Sequence, residues 1–312
     1  MMRSYILTFI QNRCYYILLA ICIILLISNQ LDQAACRTCT HENGGGCSEK
    51  EEPVWAILEQ NTKAQDKDHS YRFWPHDPRA VEFVRKNLKP PSPDSEPYKL
   101  ARPNEEDWSQ FLQMSLIFRD HLGKRKNGRY LEIGAFDGER FSNTLMLEKY
   151  HNWTGVLIEA DKLNFQMINF KRRKAWALNA CIMNVFGPQP MKFSFFGPLG
   201  GRSRDGWTAN PYAKPTFVMC VPMSAVLHAL NWTKLDLMVL DVEGAEPEIL
   251  MSIPWHYVDI DVFQIECNRC NDPKQQTPDF VRKRGFLRTF MDVVGYDEVD
   301  YVTLDYVYKK RR

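Results

Sequence analysis

Glycines and acidic residues follow apolar segments at three places in this 312-residue sequence. The first segment, YLEIGAFDG, runs from Tyr130 through Gly134 to Gly138. The second, GVLIEAD at 155–161, and the third, LDLMVLDVEGAE at 235–246, also end in carboxylate side chains. Glycine at the end of a strand lets the backbone turn tightly and pass close to a ligand. Because the glycines lack the G-x-G-x-x-G spacing of a dinucleotide site, NAD and FAD are disfavoured.

These segments are predicted to be strands of a parallel sheet, because strands and helices alternate from residue 129 onward. We predict strands near 129–134, 154–159, 175–182, 235–241 and 258–266. We predict helices near 139–150, 163–173, 222–230, 245–252 and 278–290. A closing hairpin is predicted from 292–298 and 301–309, with its turn at Glu298–Asp300. The carboxyl ends of parallel strands meet at one edge, so the polar segment ends predict a single crevice there.

Two helices are predicted ahead of the sheet, as an N-terminal helical extension. Asp77 is a typical N-cap residue and Pro78 suits the first helical position, which predicts a docking helix over 77–88. Apolar residues recur at helical spacing from Trp108 to Leu122. This pattern predicts a second helix, which is expected to cover the sheet edge and part of the pocket.

Residues 197–211 (GPLGGRSRDGWTANP) are predicted to form a long glycine-rich loop. One interpretation is a substrate lid, in which Trp207 stacks on the substrate while Arg202 or Arg204 binds an acidic or sugar-like group. The alternative is a mobile surface loop, and the composition does not decide between the two.

The set of elements in this order resembles the class I S-adenosylmethionine (SAM) methyltransferases. The D-x-E-G-x-E element of Asp241–Glu246 is similar to that of the FkbM-type methyltransferase family, and in particular of a membrane-anchored animal branch that includes the Star protein. The resemblance is carried by residues 77–92, 130–148, 152–161, 178–181, 240–246 and 253–255. It implies an α/β fold with a class I methyltransferase-like doubly wound sheet, mostly parallel with an antiparallel last strand. It also implies SAM as the cofactor.

Binding of SAM requires groups that hold a sulfonium ion, a ribose and an adenine. By the resemblance, the cofactor-binding residues are expected to be Glu132, Gly134, Ala135, Asp137, Gly138, Asn143, Glu159, Asn179, Ala180 and Asp241. Glu159 is the first candidate for the ribose hydroxyls, because it is a carboxylate at a strand end. Asn179 and Ala180 are expected to flank the adenine. A structural role is the alternative for Glu132, and a turn position is the alternative for Asp137.

Methyl transfer from SAM is an in-line displacement, and a hydroxyl acceptor must also lose a proton. Asp241 and His256 are the candidate bases for that proton. The predicted substrate-binding residues are Glu243, Glu266, Trp207 and Arg202. Paired acids could also bind a metal ion, which the residue types do not decide, and no metal is assigned. The alternative for DVEGAE is a turn followed by a helix cap, which explains Gly244 and Glu246 better than Asp241.

The segment Cys14–Ser28 is mostly apolar and uncharged, with Arg13 before it and Asp32 after it. It fits the apolar region of a cleaved signal peptide, but the apolar residues that precede it favour an uncleaved anchor. We predict a single-pass type II membrane protein of the secretory pathway, in the endoplasmic reticulum or Golgi, with a lumenal catalytic domain. The predicted domains are 1–30 (cytosolic tail and signal anchor), 31–105 (lumenal stem) and 106–312 (methyltransferase domain).

Seven cysteines lie outside the apolar segment, and an oxidising lumen favours their pairing. Cys181 and Cys220 are predicted to form a disulfide, since each lies near a predicted strand of the core domain. Because seven is odd, one thiol is expected to be free or intermolecular. Two C-x-x-C pairs lie far apart in the sequence, which disfavours zinc. Asn152 and Asn231 each begin an Asn-Trp-Thr motif and are predicted glycosylation sites.

The net charge is +2 with acids and bases interspersed, which gives no indication of a nucleic-acid partner. The short basic runs Lys171–Lys174 and Lys309–Arg312 are interpreted as a solvated helix end and a frayed terminus. The favoured hypothesis is a SAM-dependent O-methyltransferase that acts on a hydroxyl of a small molecule or a glycan. The rival hypothesis is a non-catalytic trafficking factor, which uses the same fold to bind a membrane cargo protein in the endoplasmic reticulum or Golgi.

Overall fold

The computed structural model describes residues 76–196, 199–202, 215–267 and 278–312. The predicted anchor and the stem up to residue 75 lie outside these ranges. Within the described part of the chain, no helix has both the length and the apolar character that crossing a membrane requires.

Eleven strands and seven α-helices occur in the described residues. The strands are β1 (Arg129–Ile133), β2 (Thr154–Glu159), β3 (Trp176–Asn179), β4 (Cys181–Ile182), β5 (Gln189–Phe196), β6 (Leu199–Arg202), β7 (Pro215–Val221), β8 (Lys234–Leu240), β9 (Asp259–Glu266), β10 (Tyr296–Val302) and β11 (Asp305–Lys310). The helices are α1 (Pro78–Asn87), α2 (Gln113–Asp120), α3 (Leu145–His151), α4 (Lys162–Phe170), α5 (Met223–Leu230), α6 (Glu246–Ser252) and α7 (Pro278–Val293).

The main sheet has seven strands in the order β10-β11-β9-β8-β1-β2-β3. Strands β1, β2, β3, β8 and β9 pair in parallel, whereas β11 is antiparallel to both of its neighbours, β9 and β10. The mostly parallel sheet with an antiparallel last strand is therefore confirmed. Apolar side chains alternate between its two faces and form one buried cluster on each, because helices cover both sides.

The first predicted helix after β1 begins later than the sequence pattern indicates. A helix was expected over 139–150, but α3 begins at Leu145 and residues 134–144 form a series of turns. The buried carboxylate of Glu132 explains the difference. It accepts a hydrogen bond from the backbone N–H of Asn143 at 2.8 Å and further hydrogen bonds from the hydroxyls of Ser142 and Thr144. These bonds hold the loop against β1 instead of letting it continue a helix.

Two other predicted elements differ from the structure, and one strand was missed. The strand expected at 175–182 is divided, since β3 belongs to the main sheet and β4 to a second sheet of order β4-β7-β5-β6. Strand β7 of that sheet was not predicted. The closing hairpin turns at Thr303 (φ 64°), whereas Glu298 and Asp300 flank an irregularity in the β10–β11 register.

The N-terminal extension contains α1, as predicted, with the Asp77 carboxylate accepting from the N–H of Arg79 at 2.8 Å. The second helix is shorter than expected. A short 3-10 turn at Gln110–Leu112 precedes α2, because Phe111 (φ 50°) and Leu112 (φ 59°) both adopt the left-handed conformation and interrupt the helix. After α1, Lys89 pairs with Ala177 on the edge strand β3, so the extension covers that edge of the sheet.

Two residues of the basic run after α4, Lys171 and Arg173, are buried, which corrects the interpretation of the run as a solvated helix end. Lys171 forms an ion pair with Glu139 at 2.5 Å, and Arg173 forms one with Glu148 at 3.0 Å. The Arg173 guanidinium also donates to the carbonyl of Gly138 and to the hydroxyl of Thr144, at 3.2 Å for the latter. The buried guanidinium of Arg173 therefore fixes the 134–144 loop.

The C-terminal basic run is also ordered rather than frayed. Lys309 and Lys310 belong to β11, and Lys310 forms an ion pair with Asp259 at 2.5 Å. Arg311 forms an ion pair with Asp292 at 2.7 Å.

Replacing Arg173 by Met should destabilise the fold strongly, because Glu148 would remain as a buried charge without its cation. We expect a loss of roughly 3–5 kcal/mol in the free energy of unfolding, measured by chemical denaturation. Arg172→Met is the matched control, since the neighbouring Arg172 is 41% exposed and pairs with the exposed Glu96. The control should lose less than about 1 kcal/mol. Equal losses in the two variants would show that the Arg173 contacts do not hold the loop.

Candidate functional site

A cavity of about 270 Å³ lies at the carboxyl ends of β1, β2, β8 and β9. The predicted residues that line it are Gly134, Ala135, Glu159, Ala180, Asp241, Glu243 and Glu266. The structure thus brings the three polar segment ends of the sequence into one crevice. The register explains this, because Ile133 pairs with Ile158 on one side and with Leu240 on the other.

Gly134 is required where β1 and β8 end. Its φ is +87°, and a Cβ built on it would lie 1.8 Å from the carbonyl oxygen of Asp241. The N–H of Asp241 donates to the carbonyl of Ile133 at 3.0 Å, so the two strand ends are in direct contact. No side chain fits between them, and the backbone itself forms this wall of the cavity.

Glu159, the last residue of β2, is buried with its carboxylate at the cavity. One carboxylate oxygen accepts from the N–H of Phe136 at 2.8 Å and the other from the N–H of Asp161 at 2.7 Å. Burial raises the pKa of Glu159 to about 7, although both hydrogen bonds favour the charged form. Each oxygen can accept a second hydrogen bond, so a pair of ligand hydroxyls can bind here.

The wall beyond Glu159 is apolar. Ala160, Ala180 and Ile182 line the cavity there. The side-chain amide of Asn179 donates to the carbonyls of Glu159 and Ala160, at 2.8 and 3.1 Å. Asn179 therefore holds the turn after β2 rather than facing the cavity, which corrects the expectation that it flanks an adenine directly.

Three acids converge at the ends of β8 and β9. Asp241, Glu243 and Glu266 each present a carboxylate oxygen, and these oxygens lie within 4.8 Å of one another. Burial raises the pKa of both Asp241 and Glu266, and the hydrogen bond between them lowers the first and raises the second. Two buried carboxyl groups in hydrogen-bond contact therefore hold a proton between them more tightly than separate acids do. The same oxygens could coordinate a divalent cation.

Glu243 has a strained backbone conformation, with φ at 56°. Gly244, the next residue, is also left-handed, at 103°. The carboxylate of Glu246 accepts from the N–H of Gly244 at 3.1 Å and from that of Val242 at 3.3 Å. Glu246 thus caps this turn, in agreement with the turn-and-cap alternative. Asp241, in contrast, lines the cavity.

A buried polar layer lies behind the acids and was not found in the sequence. The side-chain N–H groups of Gln113 and Gln264 donate to both Asn143 and Asp305. Burial raises the pKa of Asp305 to about 7. Asp305 pairs with Glu266 across β11 and β9, so this layer positions the Glu266 backbone. Of its four residues, only Asn143 was among the predicted site residues, and Gln113, Gln264 and Asp305 belong to no recognisable motif.

Besides Asn179, four of the predicted cofactor-binding residues do not line the cavity. Glu132 holds the 134–144 loop, Asn143 belongs to the polar layer, and Gly138 packs near Ile168. The carboxylate of Asp137 accepts from the N–H groups of Glu139 and Arg140, at 2.8 and 2.7 Å, so the turn alternative describes it.

His256 is exposed in the segment that leads into the amino end of β9, the sheet edge opposite to the cavity. Of the two candidate bases, Asp241 alone reaches the cavity. Trp207 lies outside the described residues, and only the backbone of Arg202 is described. Lining residues that the sequence did not indicate are Gln110, Phe136, Arg140, Phe141, Met183, Phe193 and Leu304.

Cys181 and Cys220 form a disulfide that joins β4 to β7, and Cys181 lines the cavity. Cys267 is also disulfide-bonded. The two predicted glycosylation sites share one local structure. Asn152 and Asn231 are exposed C-cap residues of α3 and α5 in the left-handed conformation, each just before a strand. Asparagine tolerates that conformation, which accounts for the residue type independently of any glycan.

Comparisons with known proteins bear on the family. The family model described as Methyltransferase FkbM domain matches residues 132–301, more than half of the chain. A search of curated proteins found no match.

Three similar solved structures are all methyltransferases by their descriptions. A TehB-like SAM-dependent methyltransferase from Corynebacterium glutamicum has 14% identity and a TM-score of 0.34, with 64% of this chain and 87% of that chain covered. A SAM-dependent methyltransferase from Geobacter sulfurreducens, in complex with S-adenosyl-L-homocysteine, has 10% identity and a TM-score of 0.35, with 64% and 69% covered. A precorrin-6y C5,15-methyltransferase from Geobacter metallireducens has 12% identity and a TM-score of 0.36, with 69% and 94% covered.

The raised pKa of Asp305 predicts a specific pH dependence of stability. Because the folded protein binds this proton more tightly than the unfolded chain, Asp305 stabilises the fold at low pH, and that contribution is lost as pH rises from about 4 to about 7. The isosteric Asp305→Asn variant lacks the proton, so its stability relative to wild type should increase over this range. We expect a relative gain of at least about 1 kcal/mol in chemical denaturation. The exposed Asp94→Asn control should follow wild type, and an identical profile for Asp305→Asn would contradict the prediction.

Proposed function

The chain belongs to the FkbM methyltransferase family, and we propose that it catalyses SAM-dependent methylation of a hydroxyl acceptor. The family and its cofactor follow from the matched domain, whereas the hydroxyl acceptor is inferred from the chemistry of the cavity. The observation that supports it most directly is the position of Asp241, whose carboxylate lies at the cavity beside Glu266, at the ends of β8 and β9.

The residues that line the cavity fit SAM. Glu159 can accept the two ribose hydroxyls, and the small wall of Ala160, Ala180 and Ile182 leaves room for a flat adenine. The backbone at Gly134 and Ala135 can approach the methionine part of the cofactor closely. SAM supplies an electrophilic methyl group on a positively charged sulfur, and the negative charge shared by Asp241 and Glu266 favours a cation at that end of the cavity.

Asp241 is the proposed base for the acceptor. An ionised carboxylate at the cavity can accept the proton of a hydroxyl that is aligned for displacement. The side chains of Asp241 and Glu266 are hydrogen-bonded to each other, which fixes the orientation of the Asp241 carboxylate. The tight contact between Gly134 and the Asp241 carbonyl holds the same residue from the other side.

We also propose that the protein is a single-pass type II membrane protein of the secretory pathway, with the catalytic domain in the lumen. Three features support this placement: the apolar segment Cys14–Ser28, the exposed Asn-Trp-Thr sites and the Cys181–Cys220 disulfide, a bond that persists in oxidising compartments. Membership of the membrane-anchored animal branch of the family is part of this proposal, and a glycan is the alternative acceptor to a small-molecule alcohol. If the protein does not bind SAM, the rival hypothesis of a cargo-binding role without catalysis is favoured.

The experiment is a calorimetric titration of SAM into the purified full-length chain in detergent. We expect one site per chain in wild type and at least a tenfold loss of affinity in Glu159→Gln, because a hydrogen-bonded charge contributes about 1.5–3 kcal/mol. Glu82→Gln is the control, since Glu82 lies exposed on α1. A folded wild-type protein that binds no SAM would refute the enzymatic proposal. Unchanged affinity in Glu159→Gln would refute the assigned role of Glu159.

A further inference from the structure

Large apolar side chains are exposed beside the mouth of the cavity. Phe111 is 80% exposed and Leu112 is 59% exposed, and Leu116 and Leu304 are each 38% exposed. We refer to these four residues as the apolar rim. Phe111 and Leu112 belong to the turn before α2, Leu116 lies one helical turn further on, and Leu304 is in the β10–β11 turn.

The apolar rim is continuous with the acidic end of the cavity. Gln110, next to Phe111, and Leu304 both line the cavity. The two segments are tied together, because the side chain of Gln113 donates to Asp305 at 3.0 Å. The carbonyl of Leu304 accepts from the N–H of Cys267, the residue after Glu266. The rim therefore lies on the side of Glu266, at a distance from the ribose end at Glu159.

The backbone of the rim is held in a conformation that costs free energy. Phe111 and Leu112 are consecutive left-handed residues, which L-residues other than Gly, Asn and Asp rarely adopt. The segment is fixed by Asp107, whose carboxylate accepts from the N–H of Ser109 at 2.9 Å and from that of Ser115 at 2.7 Å. Strained conformations held by their surroundings cluster at ligand sites. Here the strained residues present two large apolar side chains to solvent.

We propose that the apolar rim binds the apolar body of the acceptor, so that the methylated hydroxyl belongs to an amphiphilic molecule and not to a free sugar. This inference rests on the proposed function and specifies its substrate class. The polarity of the site matches such a molecule, because the hydroxyl meets the carboxyl group of Asp241 while the hydrocarbon part covers Phe111, Leu112 and Leu304. An aliphatic or aromatic alcohol of moderate size has this chemistry.

The first test uses a series of primary alcohols, 1-butanol, 1-hexanol and 1-octanol, as acceptors, with release of S-adenosylhomocysteine as the readout. We expect KM to fall about fourfold for each methylene that covers the rim, because burying one CH2 is worth about 0.8 kcal/mol. Methyl β-D-glucoside serves as the polar acceptor and should be the poorest substrate. A glucoside that is used better than 1-octanol would overturn the proposal.

The second test replaces Phe111 and Leu112 together by Asn, which tolerates the left-handed conformation and so preserves the turn. We expect KM for 1-octanol to rise at least tenfold, while the affinity for SAM and the KM for the glucoside stay unchanged. The control is Val293→Asn, because Val293 is 77% exposed at the end of α7, near the amino edge of the sheet. This control should leave the alcohol series unchanged.

A binding measurement separates the rim from the proposed activity. The uncharged fluorophore N-phenyl-1-naphthylamine should bind the wild-type full-length chain and the Val293→Asn control, be displaced by 1-octanol, and bind the double variant at least tenfold more weakly. If SAM does not bind, the proposed function fails, whereas the fluorophore still reports on the rim. Equal fluorophore binding by wild type and double variant would overturn the rim proposal. Loss of binding to phosphatidylcholine vesicles with an unchanged KM for 1-octanol would also overturn it, in favour of membrane contact.

Discussion

The cavity depends on one buried ion pair, between Arg173 and Glu148. The guanidinium reaches the loop that follows β1 and donates to the carbonyl of Gly138 and the hydroxyl of Thr144. Glu132 fixes the same loop from the strand. Since a buried charge is costly unless it is paired and fully hydrogen-bonded, this loop has one low-energy arrangement. The loop in turn supplies the N–H of Phe136 to the carboxylate of Glu159, so the network also shapes the end of the cavity at Glu159.

The other end of the cavity concentrates negative charge in a buried place. Asp241, Glu266 and Asp305 all have raised pKa values because of burial. The side-chain amides of Gln113 and Gln264 donate to Asp305, and Asp241 and Glu266 are hydrogen-bonded to each other. Such an arrangement is less stable than an apolar core, and it is ready to receive a cationic ligand. These acids lower the stability of the fold, and their negative charge is available for ligand binding and chemistry.

The sequence predicted the sheet well because each strand is a local pattern. The convergence of Gly134, Glu159 and Asp241 followed from the rule that parallel strands end at one edge. Long-range contacts were not predictable in the same way. Arg173 looked like a surface charge because Glu148, its partner, lies 25 residues earlier. Residues 139–144 have a helical pattern, but Ser142, Asn143 and Thr144 form hydrogen bonds to the Glu132 carboxylate instead of a helix. Strand β7 was not predicted, because no local signal in the sequence separates it from the preceding loop.

The two exposed asparagines at the ends of α3 and α5 have a practical consequence. Asn152 precedes β2 and Asn231 precedes β8, so both lie at the amino edge of the parallel sheet, opposite to the edge that carries the cavity. A bulky group attached at either position would project away from the mouth of the cavity. These two positions are thus natural points for a dye, an affinity handle or a surface tether. A molecule immobilised in this way would keep its catalytic edge facing the solution.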